Sequence, residues 1–184
     1  MAHLDNLLKN CDFQTSRLRV WSLAAASEAG EESEVAGTAL DLLSPEVVKA
    51  LPGEFQGIST LAAASAWLET MQRQCQLLLI QARESREILG FIFLYPDEAG
   101  PAGLNLHLGY LLGKAYWGRG YGKEFLQGLL HWCRTTAGVS KLTAGVEQDN
   151  QPSIKLLQRL DFKLAHQEPE LKTRFYEYKF SRGA

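Results

Sequence analysis

Hydrophobic residues recur with two spacings along this chain of 184 residues. Alternation with a period of two predicts strands, whereas recurrence at three and four positions predicts amphipathic helices. In the first half these patterns predict a strand, a short helix, a longer helix and a two-stranded hairpin, at residues 13–23, 44–52, 60–75, 77–83 and 87–95. Residues 24–38 are small and acidic, and they are predicted to form a loop with an undefined helical piece.

The second half predicts strands and helices in alternation. The strands are expected at residues 104–113, 140–147, 162–168 and 173–180, and the helices at 120–136 and 151–160. This alternation indicates an α/β architecture, called α+β in some classifications, and the early hairpin makes the sheet mixed. The chain shows no internal repeat and no linker. Residues 1–184 are therefore predicted to form one domain, with a core at 13–180 and an N-terminal extension at 1–12.

Three glycines, Gly118, Gly120 and Gly122, stand at alternate positions between a predicted strand and the following helix. Glycine allows close approach of the backbone to a ligand, and the first amides of a helix lack an intrahelical acceptor. Such a turn directs several N–H groups and the positive end of the helix dipole at one point, which suits a phosphate. Arg119 and Lys123 add positive charge. A tight turn without a ligand explains the glycines equally well.

The two common phosphate-binding motifs do not match this turn. A Walker loop requires glycine at position 117 and Ser or Thr at position 124, where this chain has Trp117 and Glu124. The dinucleotide-binding pattern requires a third glycine at the position of Lys123. The spacing therefore argues against a P-loop and against a Rossmann site.

Residues 110–124, YLLGKAYWGRGYGKE, and residues 146–162, VEQDNQPSIKLLQRLDF, together resemble the GNAT superfamily of acetyl-CoA-dependent N-acetyltransferases. The family writes its turn Q/R-x-x-G-x-G/A, and Trp117 in the first slot departs from that pattern. The W-G-x-G-Y form is familiar in the Rim-like branch, which acetylates ribosomal-protein N-termini. Residues 13–23, FQTSRLRVWSL, resemble the first strand of the same branch. The resemblance extends from Phe13 to Phe180.

The resemblance implies a fold, a reaction and a co-substrate. The fold is a single GNAT-like domain, with a mixed, mostly antiparallel sheet of about seven strands flanked by about four helices. Its fourth and fifth strands run parallel and then splay to admit the pantetheine arm. The reaction transfers an acetyl group from acetyl-CoA to a primary amine by direct attack in a ternary complex, without a metal. The implied partner is a protein N-terminus or a small-molecule amine.

The resemblance also implies where acetyl-CoA binds. Backbone groups of Leu111 and Leu112 hold the pantetheine and polarise the thioester carbonyl, and the amides of the glycine turn take the pyrophosphate. Asn150 lies beside the pantetheine, although the sequence alone favours an N-cap of the following helix. Ser153 lies near the sulfur. The cofactor-binding set is Leu111, Leu112, Trp117, Gly118, Arg119, Gly120, Tyr121, Gly122, Lys123, Asn150 and Ser153.

Departures from the family pattern bear on proton transfer. Many members carry a tyrosine acid at the position of Leu157, which cannot donate a proton, so the acid is Ser153 or solvent. His107 occupies the slot of a glutamate base, and an imidazole accepts a proton near neutral pH. The alternative for His107 is a structural residue of an apolar strand. Asp161 replaces the usual glycine of the L-G-F motif and tolerates a left-handed helix end.

The amino-acid composition argues against disordered, nucleic-acid-binding, membrane-spanning and secreted proteins. Hydrophobic residues make up 46% and charged residues 22%, as in globular proteins, and the net charge of −2 gives no reason to expect nucleic-acid binding. No apolar run reaches the length of a membrane span, and early acidic residues argue against a signal peptide. Three cysteines without a CxxC pair fit a reducing cytoplasm, and four scattered histidines show no metal spacing.

The acceptor amine is the least defined part of the prediction. The acidic residues Glu28, Glu31, Glu32 and Glu34 either attract a cationic amine or belong to a solvated loop. Two rival classes stay open. One is an acyl-CoA-binding module of the same fold without catalysis, because the usual glutamate and tyrosine are missing, and the other is a nucleotide-binding switch protein. The protein is expected to be a monomer or a homodimer.

Overall fold

The computed structural model describes residues 8, 10–49, 51–97, 103–135 and 138–180. Within these residues eight strands form one sheet, in the order β1-β2-β3-β4-β5-β6-β8-β7. Their bounds are Asp12–Gln14 (β1), Leu18–Ser22 (β2), Gln76–Ala82 (β3), Ile88–Pro96 (β4), Leu104–Leu112 (β5), Val139–Glu147 (β6), Lys163–Glu168 (β7) and Thr173–Lys179 (β8). Of the predicted N-terminal extension, residues 1–7 and 9 lie outside the described residues.

Six α-helices accompany the sheet in the same part of the chain. They are Leu23–Glu28 (α1), Glu32–Leu42 (α2), Pro45–Val48 (α3), Leu61–Gln74 (α4), Tyr121–Thr135 (α5) and Gln151–Arg159 (α6), and short 3₁₀ helices cover Gly53–Phe55 and Lys114–Tyr116. Asp161, just after α6, has a φ of 65°, which confirms the predicted left-handed helix end. None of the described helices is long and apolar enough to cross a membrane.

All neighbouring strands are antiparallel except β5 and β6. These two pair in parallel only from Leu104 beside Val139 to His107 beside Thr143. Beyond that point β5 continues along β4 and β6 continues along β8. The two strands therefore separate over their carboxyl-terminal halves, which confirms the predicted splayed pair.

The sheet lies between two hydrophobic cores, because side chains of a strand alternate between its faces. One face, called the α1–α4 face, packs against α1 to α4 through Trp67, Phe91 and their neighbours. The other, called the α5–α6 face, packs against α5 and α6 through Phe125, Leu157 and their neighbours. The predicted fold class is confirmed, with eight strands and six helices in the described residues where about seven and about four are expected from the resemblance.

Residues 24–38 are predicted to be a loop with an undefined helical piece, and they are more helical than that, since they form α1 and most of α2. The hydroxyl of Ser22 caps α1 by accepting a hydrogen bond from Ala24 N at 3.1 Å. Alanine is the best helix former, and Ala36 and Ala39 are buried in the core of the α1–α4 face. Alanine is only weakly apolar, so the sequence pattern does not reveal the buried side of α2.

The first predicted strand, residues 13–23, is divided into β1 and β2. Thr15 N donates to Leu18 O at 2.8 Å, and Leu18 N donates to Thr15 Oγ1 at 3.1 Å, which closes a tight turn between the strands. The two strands then pair antiparallel, with Phe13 opposite Val20. Alternation of apolar residues gives no sign of the reversal, because both strands share the same period of two.

Candidate active site

A cavity of about 550 Å³ opens where β5 and β6 separate. Its volume is typical of a small-molecule site. Its lining residues are Leu51, Pro52, Glu54, Phe55, Phe93, Tyr95, Leu108, Gly109, Tyr110, Ala144, Gly145, Val146, Glu147, Asn150, Ser153, Leu171 and Thr173. Asn150 and Ser153 are the two predicted site residues that line it. The cavity coincides with the slot that the resemblance implies for the pantetheine arm.

The cavity is lined from both faces of the sheet. On β5, Leu108 belongs to the core of the α5–α6 face and Tyr110 packs against that core. Gly109 faces the opposite way, because a Cβ there would lie 3.6 Å from the Cβ of Phe93. On β6, Val146 belongs to the core of the α5–α6 face, so Glu147 extends towards the α1–α4 face. The splay therefore makes a passage through the sheet.

Asn150 and Ser153 lie at the start of α6, on the α5–α6 side of the passage. Asn150 Oδ1 accepts a hydrogen bond from Ser153 N at 3.3 Å, and Ile154 N donates to Asn150 O at 3.1 Å. Asn150 is thus an N-cap, as its residue type suggests. Asn150 and Ser153 also line the cavity, so Asn150 caps the helix and belongs to the site at the same time.

Tyr110 is a site residue that sequence reasoning does not single out. Its hydroxyl is shielded from solvent and has no hydrogen-bond partner among the described residues. Burial raises the pKa of Tyr110, and the Ser153 hydroxyl counteracts part of that rise without a hydrogen bond of normal geometry. The ring is held edge-on against Phe125 at 5.5 Å between centroids. The Tyr110 side chain therefore lines the cavity beside Ser153, with a neutral hydroxyl that is shielded from solvent.

The glycine turn lies before α5, on the α5–α6 face. Gly118 has a φ of 71° and Gly120 a φ of 81°, in the left-handed region that favours glycine. Gly122 has no such angle; a Cβ there would lie 3.0 Å from the end of the Leu156 side chain. Conformational freedom is thus required at the first two glycines, and the third allows close packing of α5 against α6.

The backbone N–H groups of residues 118–123 have no acceptor within the described part of the chain. The flanking amides are satisfied, because Trp117 N donates to Lys114 O at 3.2 Å and Glu124 N donates to Gly120 O at 3.1 Å. The side chains of Arg119 and Lys123 are exposed beside this run. Six successive free amides at the start of a 15-residue helix form an anion-binding arrangement.

A single carboxylate, that of Glu124, fastens this turn to the turn between β1 and β2. Glu124 accepts hydrogen bonds from the Thr15 hydroxyl at 2.6 Å, from Arg17 N at 2.8 Å and from Arg17 Nε at 2.7 Å. Burial opposes ionisation of Glu124, but these hydrogen bonds outweigh it and lower the pKa of its carboxyl group. Arg17 also donates to the Arg119 carbonyl at 3.2 Å and lies 4.4 Å from the ring centre of Tyr121. The sequence prediction does not find this contact, because its residues are more than 100 positions apart.

Leu111 and Leu112 end β5 beside the turn, and neither lines the cavity. The Leu111 side chain is buried in the core of the α1–α4 face, and Leu112 packs against the opposite core. The Leu112 carbonyl accepts a hydrogen bond from Trp117 Nε1 at 2.8 Å. Trp117 thus connects the end of the splayed strand to the glycine turn, with half of its own surface exposed.

His107 lies at the last paired position of β5 and β6, opposite Tyr95 on β4, and does not line the cavity. Its Nε2 is 3.5 Å from Asp97 Oδ2, and its side chain is 46% exposed. The structure therefore does not bring His107 together with Ser153, and the role of base stays a prediction.

The acidic residues at 28–34 do not line the cavity either. Glu28 ends α1, Glu32 and Glu34 stand in the first turn of α2, and Glu31 contacts Arg86 at 4.0 Å. Among the described residues no group of three or more His, Cys, Asp or Glu side chains is arranged to hold a metal ion.

Comparison with known proteins gives a family match. Residues 30–163 match the family model described as an acetyltransferase (GNAT) domain. The chain is 33% identical over 95 residues to an uncharacterized N-acetyltransferase, p20, of Bacillus licheniformis, covering 50% of this chain and 51% of that protein. It is 31% identical over 118 residues to an L-methionine sulfoximine/L-methionine sulfone acetyltransferase of Pseudomonas aeruginosa, covering 62% and 67%. These alignments span about half to two thirds of the relatives.

Solved structures share the fold at lower sequence identity. One is RimL, a ribosomal L7/L12 alpha-N-protein acetyltransferase in complex with coenzyme A, with a TM-score of 0.73, 16% identity and coverage of 90% of this chain and 96% of that one. Another is the ribosomal-protein-S5-alanine acetyltransferase of Vibrio fischeri, with a TM-score of 0.69, 14% identity and coverage of 92% and 97%. At such identities the likeness concerns the fold.

Proposed function

Because the chain belongs to the GNAT acetyltransferase family, we propose that it transfers an acetyl group from acetyl-CoA to a primary amine by direct attack in a ternary complex. The observation that carries the proposal is the passage through the sheet where β5 and β6 separate. A thioester entering on the α5–α6 face and an amine entering on the α1–α4 face would meet in this passage. Holding both reactants in one place supplies much of the catalysis in such a reaction.

The glycine turn is the proposed site of the pyrophosphate of acetyl-CoA. The run of free amides at residues 118–123 and the left-handed φ angles of Gly118 and Gly120 support this role. Arg119 and Lys123 would also attract the pyrophosphate, but less strongly than the backbone amides, because salt screens the charge of exposed side chains. RimL, which shares the fold, is in complex with coenzyme A, and this also favours the assignment.

The hydroxyls of Tyr110 and Ser153 are the proposed proton donors. As the amine nitrogen bonds to the acetyl carbon, the carbon–sulfur bond breaks and the departing thiolate takes a proton from one of these hydroxyls, which then regains a proton from solvent. Backbone groups of Leu111 and Leu112 are proposed to polarise the carbonyl, and Asn150 to position the start of α6 beside the pantetheine. The amine would lose its proton to solvent, and His107 is not the proposed acceptor because it lies outside the lining of the passage.

A cytoplasmic location is part of the proposal. The three cysteines, Cys11, Cys75 and Cys133, are all buried and unpaired, which fits a reducing compartment. Burial raises the pKa of Cys133 to about 12, so this thiol is inert at neutral pH.

The first test compares binding of acetyl-CoA and of ATP by calorimetry, followed by turnover with a panel of amines, measured as released CoA thiol. We expect binding of acetyl-CoA, no binding of ATP, and turnover with at least one amine. Binding of ATP without binding of acetyl-CoA would instead favour a nucleotide switch. Tight binding of acetyl-CoA with no turnover on any amine would favour the non-catalytic module.

The second test removes the two hydroxyls singly and together, as Tyr110→Phe, Ser153→Ala and the double variant. Each single change is expected to lower kcat about tenfold, less than general acids usually contribute, because a thiolate leaves readily and the second hydroxyl remains. The double variant should lose more than the product of the single losses, with a smaller effect on the affinity for acetyl-CoA than on kcat. Tyr178→Phe is the matched control, since its hydroxyl contacts Arg134 away from the cavity. A double variant with the wild-type kcat would show that solvent protonates the thiolate.

A further inference from the structure

A third cation, Arg17, lies at the glycine turn, where the sequence motif itself supplies only Arg119 and Lys123. Arg17 is the last residue before β2, and a Cβ on Gly120 would lie 3.5 Å from its Nη2 atom. Gly120 stands within the run of free amides at residues 118–123. A positively charged side chain from the β1–β2 turn therefore lies beside the backbone groups that are proposed to bind the pyrophosphate.

Contacts with neighbouring groups hold the Arg17 side chain at this place. Its Nε donates to Glu124 Oε2 at 2.7 Å, and its Nη1 donates to the Arg119 carbonyl at 3.2 Å. The guanidinium carbon lies 4.4 Å from the centre of the Tyr121 ring. The side chains of Arg119 and Lys123 are exposed, and neither forms an ion pair within the described residues. Ordering a flexible side chain on a ligand costs rotamer entropy, whereas Arg17 has lost that freedom before any ligand binds.

Arg17 also keeps hydrogen-bond donors for a ligand. A guanidinium carries N–H groups on Nε, Nη1 and Nη2, and here the Glu124 carboxylate and the Arg119 carbonyl engage Nε and Nη1. Nη2, the atom beside Gly120, has no acceptor in the described part of the chain. Because Glu124 neutralises part of the charge of Arg17, what Nη2 offers is a directed hydrogen bond more than a long-range attraction. Planar guanidinium groups form strong, directed hydrogen bonds with phosphate oxygens.

Unpartnered donors from two distant parts of the chain thus lie side by side. One set is the run of amides before α5, and the other is Nη2 of Arg17, which precedes Arg119 by 102 positions. Building on the proposed function, we propose that Arg17 binds the pyrophosphate of acetyl-CoA through Nη2, together with the amides of the glycine turn. Glu124 is then a positioning residue, because its carboxylate fixes the plane of the guanidinium. Arg119 contributes less than Arg17, since no such contacts order its side chain.

The first test measures the Kd for CoA by calorimetry with the full chain. The loss of a hydrogen bond between charged partners changes a binding constant by about tenfold to a hundredfold, so Arg17→Gln should raise the Kd by that factor. Arg17→Lys keeps the charge without the planar group and should restore only part of the affinity. Arg119→Gln should raise the Kd less than Arg17→Gln does.

Arg19→Gln is the matched control for these variants. Arg19 also forms an ion pair at 2.7 Å, with Asp12, and its guanidinium carbon lies 4.5 Å from the ring centre of Trp21. Trp21 belongs to the core of the α1–α4 face, whereas the glycine turn lies on the opposite face. The control therefore loses the same kinds of contact as Arg17→Gln, and it should bind CoA with the wild-type Kd.

Two further measurements distinguish a direct contact from support of the turn. 3′-Dephospho-CoA keeps the pyrophosphate and lacks only the 3′-phosphate, so Arg17→Gln should weaken its binding by the same factor as that of CoA. In the wild-type protein, bound CoA should slow the modification of Arg17 by phenylglyoxal severalfold, as mapped by mass spectrometry, and leave the modification of Arg19 unchanged. The second measurement needs no variant, so it holds even if Arg17→Gln fails to fold, which thermal melting would show.

Wild-type affinity of a folded Arg17→Gln protein for CoA would overturn the inference and leave the proposed function intact. A loss of affinity that disappears with 3′-dephospho-CoA would also overturn it, because Arg17 would then contact the 3′-phosphate. Modification of Arg17 at the same rate with and without CoA would show that the residue only holds the turn. Failure of the wild-type protein to bind CoA at all would contradict the proposed function itself.

Discussion

Replacing Glu124 by alanine should destabilise the fold and weaken acetyl-CoA binding together, because this side chain fastens the β1–β2 turn to the start of α5. The Glu124 side chain is 15% exposed, whereas that of its ion-pair partner Arg17 is 48% exposed. The exposed ion pair contributes about 0.5 kcal/mol. The hydrogen bonds from Arg17 N and from the Thr15 hydroxyl to a charged acceptor contribute about 1 and about 1.5 kcal/mol. The expected loss is about 3 kcal/mol, or about 6–12 °C in Tm for a chain of this size.

The pH dependence of this loss has a defined sign. The pKa of Glu124 is lower in the folded protein than its ordinary value of 4.5. Its stabilisation is therefore complete above pH 4.5 and disappears as the pH falls through the folded-state pKa. The difference in Tm between wild type and Glu124→Ala should accordingly shrink in more acidic buffers.

Calorimetric melts at pH 7 and at pH 4, with acetyl-CoA titrations at pH 7, measure both effects. Glu69→Ala is the control, because Glu69 is 60% exposed and only 3.9 Å from Arg73 in a surface pair. That variant should change stability by less than about 0.5 kcal/mol. A Glu124→Ala protein that melts within 2 °C of the wild type, by the scale of about 2–4 °C per kcal/mol, would refute the reasoning. Unchanged acetyl-CoA affinity despite a lowered Tm would show that the contacts of Glu124 stabilise the fold but do not hold the glycine turn in its binding conformation.

The remaining predictions concern the glycine turn and His107. Gly120→Val should raise the Kd for acetyl-CoA at least about tenfold, because valine at a φ of 81° is strained by about 1–3 kcal/mol or moves the amides. Arg119→Ala should raise the Kd less than about tenfold, since an exposed charge is screened by salt, and the opposite order in calorimetry would contradict the amide account. His107→Ala should keep most of the wild-type kcat and its pH profile, because the imidazole lies outside the cavity; a loss of about 10²–10⁴ with disappearance of an ionisation would instead establish it as the base.

Local chemistry made much of this protein predictable from its sequence. Helix α5 and the strand before it follow from a strong apolar stripe and from the glycines at the turn, and the φ angles of Gly118 and Gly120 agree with that expectation. The left-handed conformation at Asp161 was likewise predictable from residue type. For residues 24–38 the prediction allowed a helical piece but was wrong about the loop, because alanine forms a buried helix face there without a strong hydrophobic signal. Secondary structure can be predicted from the sequence where the local conformational preferences of neighbouring residues are strong and agree with each other.

The sequence by itself determined the periodicities, the glycine turn and, through the resemblance, the family. Only the tertiary structure decided which side chains share the cavity. Tyr110, Ser153, Glu54 and Glu147 line one cavity, and Glu124 accepts hydrogen bonds from the β1–β2 turn, across long separations in sequence. Such meetings depend on strand register and on the point where β5 and β6 part, since one position of slip would exchange the two faces of a strand. No local pattern encodes that geometry, because it arises from the packing of all eight strands described here between two helical layers.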